Sequence, residues 1–362
     1  MKTIRLGIIG TGMALERLHY PALQELGDKY QIVALCNRTR KDAEDFARKI
    51  NLDLSNVYDD YNKMLLRDDL DAVDILVPIE LNYTVSEAVA KAGIDFICEK
   101  PMASSMEEAN KYLTLSKKYN VKIMIAENYR YNEENNIIRD IVNSKKIGDT
   151  VYFIRNNISC FPCEMTKDTF AAKEWRQHPK YYGGAFLDAA LHDLAALRHI
   201  FGAVECVQAF GKPQQEDFNP YLSINTNILF KNGVIGQYNY FPSGIETQKP
   251  PVGLRIFGTK GEIYLEDKNC GIINISYHDG KTEQIKYTPE RGYYNELLNF
   301  YNALNGTEQI SVTPDIEYGD VKMVFDTLKS ISKREIIYVD APSPVKETSF
   351  TEHENHNPLY FQ

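Results

Sequence analysis

The sequence predicts an α/β protein in two parts: a doubly wound parallel sheet at the N-terminus, then an α/β part built on a large, mainly antiparallel open sheet. Three observations carry this reading. Apolar runs alternate with helical patterns through the first third of the chain, which implies parallel strands joined by helical crossovers. A glycine-bearing turn stands between the first apolar run and the first helical pattern. From Ala203 onward, strand-like segments follow one another with only short turns between them, as antiparallel neighbours do.

Taken in order, Ile4–Ile9 reads as a strand, Met13–Leu26 as a helix stopped at Gly27, and Gln31–Cys36 as a second strand. Lys41–Ile50 reads as a helix, Ala72–Val77 as a buried strand, and Ser86–Ala92 as a helix closed by Gly93. Asp95–Cys98, Met106–Tyr119 and Lys122–Ala126 continue the alternation. Gly or Asn at the helix exits supplies the left-handed residue wanted there. Beyond residue 127 the pattern changes. Asn132–Asn143 and Gly184–Phe201 read as helices, and 203–287 as a strand meander with one face covered and the other free. Its turns fall at Lys231-Asn232-Gly233, Gly258-Thr259-Lys260-Gly261 and His278-Asp279-Gly280. Helices Tyr293–Leu304 and Tyr318–Lys329 and a short strand Ile336–Val339 follow. The domains are expected at 1–126 and 127–342, with a polar tail, 343–362, expected to be mobile. The last residues, Leu359-Tyr360-Phe361-Gln362, match the end of a widely used protease tag.

Composition narrows the function. With 362 residues, 43% hydrophobic and 25% charged, the chain can bury two ordinary cores and is not disordered. A net charge of −9 argues against a sequence-independent nucleic-acid binder. No apolar run is long enough for a bilayer, and Met1-Lys2-Thr3 leads straight into a strand, so neither a membrane span nor a secretory signal is expected. Six cysteines without a scaffold pattern point to a reduced, cytoplasmic protein. Cys160 and Cys163 have C-x-x-C spacing, but neither a helix N-terminus nor two further zinc ligands is evident beside them. No metal and no redox role are expected.

Strand Ile4–Ile9 runs into Gly10-Thr11-Gly12 and then into the helix opened by Met13. Gly10 permits the tight turn, and Gly12 lets the backbone approach a pyrophosphate resting on the helix N-terminus. Between a strand and a helix, at the head of an alternating run, this is a Rossmann dinucleotide site. Leu15 stands where the fingerprint has its third glycine, a departure that bears on helix–strand packing more than on phosphate contact. At the end of the second strand Asn37 replaces the acid that binds the ribose hydroxyls of NAD, and Arg38-Thr39-Arg40 follow. NADP is therefore the expected cofactor, with NAD the alternative, because Asn37 does not repel a 2′-phosphate and Arg38 can pair with one.

Cys98-Glu99-Lys100-Pro101 follows a buried strand at the carboxyl edge of the sheet, where open α/β sheets place their ligands. Helix Gly184–Phe201 carries Asp188 and His192 four residues apart, on one face of an otherwise apolar segment. An acid and an imidazole on a buried helix need partners or a purpose. The residues alone leave both readings open.

These motifs resemble the Gfo/Idh/MocA family (glucose–fructose oxidoreductase, inositol dehydrogenase and relatives), over nearly the whole chain to about Asp340. The likeness rests on Gly7-Ile8-Ile9-Gly10-Thr11-Gly12 with His19, Glu99-Lys100-Pro101, Asn128-Tyr129-Arg130-Tyr131 and Trp175-Arg176. It continues through Gly183-Gly184, Asp188-x-x-x-His192-Asp193 and Phe257-Gly258-Thr259-Lys260-Gly261. It implies that Lys100, Asp188 and His192 are the catalytic set, acting in reversible hydride transfer at a carbinol carbon of a sugar, inositol or related polyol. An imidazole suits the proton acceptor and a lysine the donor that stabilises developing alkoxide charge, though the split between Lys100 and His192 stays open. Family members often carry Pro-Asn-x-x-His where this chain has Pro78-Ile79-Glu80-Leu81-Asn82, which leaves Asn82 as the polar group on the nicotinamide side. Cofactor contacts are thus expected from Gly10, Thr11, Gly12, Met13, Asn37, Arg38, Pro78, Asn82, Glu99 and Lys100. Substrate contacts are expected from Lys100, Arg130, Trp175, Asp188 and His192, with Glu127, Arg130 and Tyr131 either lining the cleft or bracing the domain junction. A homodimer or homotetramer is implied as well. Two other functions remain open: a redox-neutral enzyme that retains its dinucleotide (glycoside cleavage, elimination or epimerisation), and a non-catalytic dinucleotide sensor. Intact Lys100, Asp188 and His192 argue against the sensor.

Overall fold

Helical crossovers return each of the first six strands parallel to the one before. In the computed structural model, which describes residues 2–339, these are β1 (Ile4–Ile9), β2 (Tyr30–Cys36), β3 (Val57–Tyr58), β4 (Ala72–Ile75), β5 (Asp95–Glu99) and β6 (Ile123–Ala126). Their order is β3-β2-β1-β4-β5-β6. β1 is flanked by β2 on one side and β4 on the other, so the winding reverses beside it, and that switch point is where such sheets bind ligands. The strands read as continuous apolar runs because helices cover both faces; Leu6, Ile8, Leu35, Val73, Ile75, Phe96 and Ile97 are all fully buried.

Three local differences from the sequence reading matter. The two-residue β3 escaped notice because it is too short to show alternation. The helix expected from Ser86 begins at Ile79, directly after Pro78. The helix after β1 opens with a wide π-turn, Leu15–His19, before continuing as Tyr20–Glu25, and this places His19 fully inside the protein.

The second sheet contains β7 (Thr150–Ile158), β8 (Val204–Pro213), β9 (Tyr221–Phe230), β10 (Ile235–Phe241), β11 (Leu254–Gly258), β12 (Gly261–Leu265), β13 (Ile272–Tyr277), β14 (Thr282–Lys286) and β15 (Ile337–Tyr338). Its order is β14-β13-β12-β11-β7-β10-β9-β8-β15. It is not a simple meander. β7 lies in the middle, parallel to β10 and antiparallel to β11. Arg155, Asn156 and Asn157 hid it from the apolar pattern. Arg155 and Asn157 nevertheless face the covered side, where both bind Asp193 of helix Leu191–Phe201, at 2.8 Å and 2.6 Å. The covered face carries Phe153, Ile224, Ile228, Phe230, Tyr238 and Ile256, with Phe153 stacked on Phe201 at 4.9 Å. The other face is polar, with an amide ladder Asn225–Asn239–Asn156 at 2.7 Å and 2.8 Å, and among its side chains Tyr152, Phe210 and Ile235 are exposed.

The expectation of six thiols is corrected at one pair: Cys160 and Cys163 are disulfide-bonded. Cys160 directly precedes a helical turn, Phe161–Glu164, and one turn brings the two Cα atoms to 5.2 Å. Among the described residues no helix is long and apolar enough to cross a membrane. The tail 343–362 lies outside the described residues.

The two glycines of the first turn differ in what they tolerate. Gly10 has φ +105°, and a Cβ there would meet the Leu76 carbonyl oxygen at 2.2 Å; a Cβ on Gly12 would meet nothing within 4 Å. Gly10→Ala is expected to destabilise the fold by about 3 kcal/mol, and Gly12→Ala by less than about 0.5 kcal/mol. Equal melting temperatures for the two variants would show that the turn is not constrained as described.

Candidate active site

At the glycine turn, Gly10 N donates to Cys36 O at 2.8 Å, tying the turn to the end of β2. Gly12 is exposed with open space beside it, and Met13 is half-buried. The Thr11 hydroxyl is buried with no hydrogen-bond partner among the described residues. An open glycine beside an unpartnered hydroxyl at a helix start is a cradle that fits a pyrophosphate. The carboxamide of Asn37 is engaged locally, accepting from Thr11 N at 3.4 Å and donating to Thr39 O at 3.1 Å and to Asp42 Oδ2 at 3.4 Å. Arg38 is exposed and makes no ion pair among the described residues, whereas Arg40 is paired with Glu44 at 2.9 Å.

Behind the turn, His19 sits between two carboxylates. Its Nδ1 is 2.9 Å from Asp74 of β4 and its Nε2 3.1 Å from Glu99 of β5. Burial opposes the charge, but Asp74 and Glu99 raise the imidazole well above its ordinary value. Burial pushes Glu99 up, but the His19 hydrogen bond and the charges of His19, Lys100 and His192 together hold Glu99 below the usual range. Glu99 Oε2 accepts from Lys100 N at 3.1 Å. Asn82, fully buried four residues after Pro78, donates to Glu99 O at 2.9 Å and to Pro101 O at 2.7 Å. Its amide therefore braces the Glu-Lys-Pro turn.

That turn delivers Lys100 to Asp188. Lys100 Nζ donates to Asp188 Oδ1 at 2.8 Å and to the Asp188 carbonyl at 2.6 Å. Arg176 Nε donates to the other carboxylate oxygen at 2.5 Å, and its guanidinium lies 4.3 Å above the Trp175 ring. Burial works against a charged Asp188, but Arg176 first and Lys100 second hold it far below the ordinary carboxylate range. Trp175 thus forms the shelf under Arg176. Arg176 is the ligand that sequence reasoning quoted in a motif without assigning it to the site.

His192 does not share Asp188's partners. The segment read as one regular helix opens with a π-turn, Phe186–Ala190, before continuing as Leu191–Phe201. Asp188 reaches Lys100 and Arg176, while His192 Nδ1 lies 2.7 Å from Glu127 Oε1, and its ring stacks on Tyr129 at 4.4 Å. Arg130 donates through Nε and Nη2 to the two carboxylate oxygens of buried Asp320, at 2.8 Å and 2.6 Å. The hydroxyl of Tyr131 is buried on Asn299 at 3.0 Å. Among the described residues no group of three or more His, Cys, Asp or Glu is arranged to hold a metal ion.

Comparison with known proteins gives a consistent picture. Residues 4–127 match a family model described as "Oxidoreductase family, NAD-binding Rossmann fold", and residues 136–264 match the "GFO/IDH/MocA C-terminal domain". An uncharacterized protein of Saccharomyces cerevisiae is 29% identical over 92% of this chain and 97% of its own. A 1,5-anhydro-D-fructose reductase of Ensifer adhaerens is 24% identical over 68% of this chain and 72% of its own. The crystal structure of an oxidoreductase from Thermotoga maritima superposes with a TM-score of 0.82 at 29% identity, covering 93% of this chain and 99% of that one. Levoglucosan dehydrogenase, in complex with NADH and L-sorbose, shares the fold with a TM-score of 0.81 at 19% identity, over 94% and 99% of the two chains.

The His19 cluster has a pH signature. A value raised by folding means that the stabilisation is complete below the ordinary 6.5 and is lost as pH rises through the raised value. His19→Gln is expected to be less stable than wild type at about pH 6, by about 3 kcal/mol, and to lose less stability between about pH 6 and about pH 9. Urea unfolding at the two pH values measures both. The same pH dependence in variant and wild type would show that His19 is not held charged.

Proposed function

Because this chain belongs to the Gfo/Idh/MocA oxidoreductase family, we propose that it is an NAD(P)-dependent dehydrogenase or reductase. Its substrate is a secondary alcohol or ketone of a sugar, inositol or related polyol. One observation carries the reading: the Lys100 ammonium, 2.8 Å from Asp188, stands at the end of β5, at the carboxyl edge of the sheet whose β1 runs into the glycine turn of the dinucleotide cradle. The reductase and dehydrogenase among the relatives, the latter with L-sorbose bound, support a polyhydroxylated substrate.

The bound nicotinamide supplies hydride exchange with the carbinol carbon. The chain supplies the rest. Lys100 has three N–H donors; two are engaged on Asp188, and the third donates to the substrate oxygen and stabilises alkoxide character as it develops. His192 accepts the hydroxyl proton in oxidation and returns it in reduction. Asp188 fixes the ammonium, and Arg176 keeps that carboxylate charged. The site is screened from bulk water, with 9% of the Lys100 side chain and 16% of the His192 side chain exposed, which strengthens each of these interactions. Thr11, Gly12 and Met13 hold the pyrophosphate, and Arg38 takes the 2′-phosphate of NADP. The free face of the second sheet, with exposed Tyr152, Phe210 and Ile235, is the surface for a homodimer.

Lys100→Met is expected to lower kcat on a responsive sugar or polyol by about 100-fold or more, because it removes a transition-state donor. Dinucleotide affinity, measured calorimetrically, should change by less than about threefold. Near wild-type kcat in this variant would remove Lys100 from the catalytic set.

The cofactor prediction is separate. Calorimetric titration of both oxidised dinucleotides should show tighter binding of NADP, by about 10-fold or more, the scale of one hydrogen bond to a charged group. Arg38→Ala should abolish the preference. Equal affinities in wild type, or a variant that weakens both dinucleotides alike, would assign the site to NAD.

A further inference from the structure

We propose that Glu127 is a positioning residue for this reaction, holding His192 in the tautomer whose Nε2 is free to exchange the substrate proton. Tyr129 fixes the plane of the ring. The inference rests on the reading of His192 as the proton acceptor.

Glu127 stands immediately after β6 and is fully buried. Its Oε1 meets His192 Nδ1 at 2.7 Å and also accepts from Tyr129 N at 3.0 Å, so the backbone fixes the oxygen on which the imidazole rests. A carboxylate facing a ring nitrogen accepts its hydrogen. Nδ1 therefore carries the hydrogen, and the lone pair lies on Nε2, across the ring. An imidazole in water favours the opposite tautomer, which would present a hydrogen, not a lone pair, to a substrate hydroxyl. The Tyr129 ring lies 4.4 Å from the imidazole at an interplanar angle of 17°, and Lys268 Nζ lies 5.4 Å from the centroid of that tyrosine ring. Carboxylate and stack together leave the ring one orientation.

A scaffolding acid in this position would be expected to take the nearest strong cation. Arg130 is three residues away, yet its Nε and Nη2 go to Asp320. The other oxygen of Glu127 is buried with no hydrogen-bond partner among the described residues. Among them, the one side chain to which Glu127 makes a hydrogen bond is therefore His192, whose own side chain stays 16% exposed at the site. A buried acid on one ring nitrogen with the other nitrogen left to the substrate is the arrangement that orients a general base.

The test uses the full-length chain with 15N-labelled histidine, free of substrate, with the His192 resonances assigned by their loss in His192→Gln. Wild type should show His192 protonated at Nδ1 and bare at Nε2. Glu127→Ala should move the hydrogen to Nε2 and lower kcat by about 10- to 100-fold with KM changed less than about threefold. In Glu127→Gln the amide oxygen stays on Tyr129 N, so Nδ1 should keep its hydrogen and kcat should recover to within about tenfold of wild type. A wild-type His192 with its hydrogen on Nε2 overturns the proposal without any variant, which covers an unstable Glu127→Ala. So does a Glu127→Ala variant with wild-type kcat. A fully active His192→Gln would instead remove the base reading beneath it. An essential His192 whose tautomer ignores residue 127 overturns the positioning role alone.

Discussion

Two cations from different parts of the chain meet on the buried carboxylate of Asp188. Lys100 comes from the edge of the parallel sheet and Arg176 from the segment between β7 and the π-turn. Removing the carboxylate itself would leave both cations without their shared partner, at a cost of about 3–5 kcal/mol. Much of the local architecture follows from meeting this demand. Asn82 braces the turn that carries Lys100, and Trp175 supports the guanidinium of Arg176 from below. The π-turn at Phe186–Ala190 separates the directions of Asp188 and His192, so that one carboxylate does not have to serve both.

The same region collects acids whose charge burial disfavours. Both carboxylate oxygens of Glu296 are buried without a hydrogen-bond partner among the described residues, and burial, with Glu99, Glu127 and Asp74 nearby, raises it well above the ordinary range. Glu317 is raised for the same reason, with Asp320 adding to the effect. Asp188 and Glu99 are equally buried but have a cation within hydrogen-bond reach. Contact with a cation thus separates the buried acids whose values fall from those whose values rise. Asp188 lies against Lys100 and Arg176, and Glu99 against His19.

On the cofactor side, the turn after β2 is stiffened from within. Asn37 bonds to Thr11, Thr39 and Asp42, which links that turn to the glycine turn. Arg38 stands exposed at the rim with no ion pair among the described residues, while Arg40 is held back along its own helix by Glu44 through their i, i+4 spacing.

By itself the sequence determined what local periodicity and turn chemistry can encode. It defined the alternation of the first six strands apart from the very short β3, the glycine turn at Gly10 and Gly12, and the placing of Lys100 at the carboxyl edge of β5. These depend on spacing along the chain, and spacing is all that a periodic pattern measures. Tertiary structure decided the rest. β7 reads as polar because Arg155 and Asn157 are satisfied by Asp193, a partner 36 or more residues distant. Arg130 is held through Nε and Nη2 by Asp320, 190 residues on. Arg176 meets Asp188, and Glu127 meets His192, because a buried carboxylate and a buried imidazole each need a partner. No pattern along one strand or helix shows which distant side chain will stand within 3 Å.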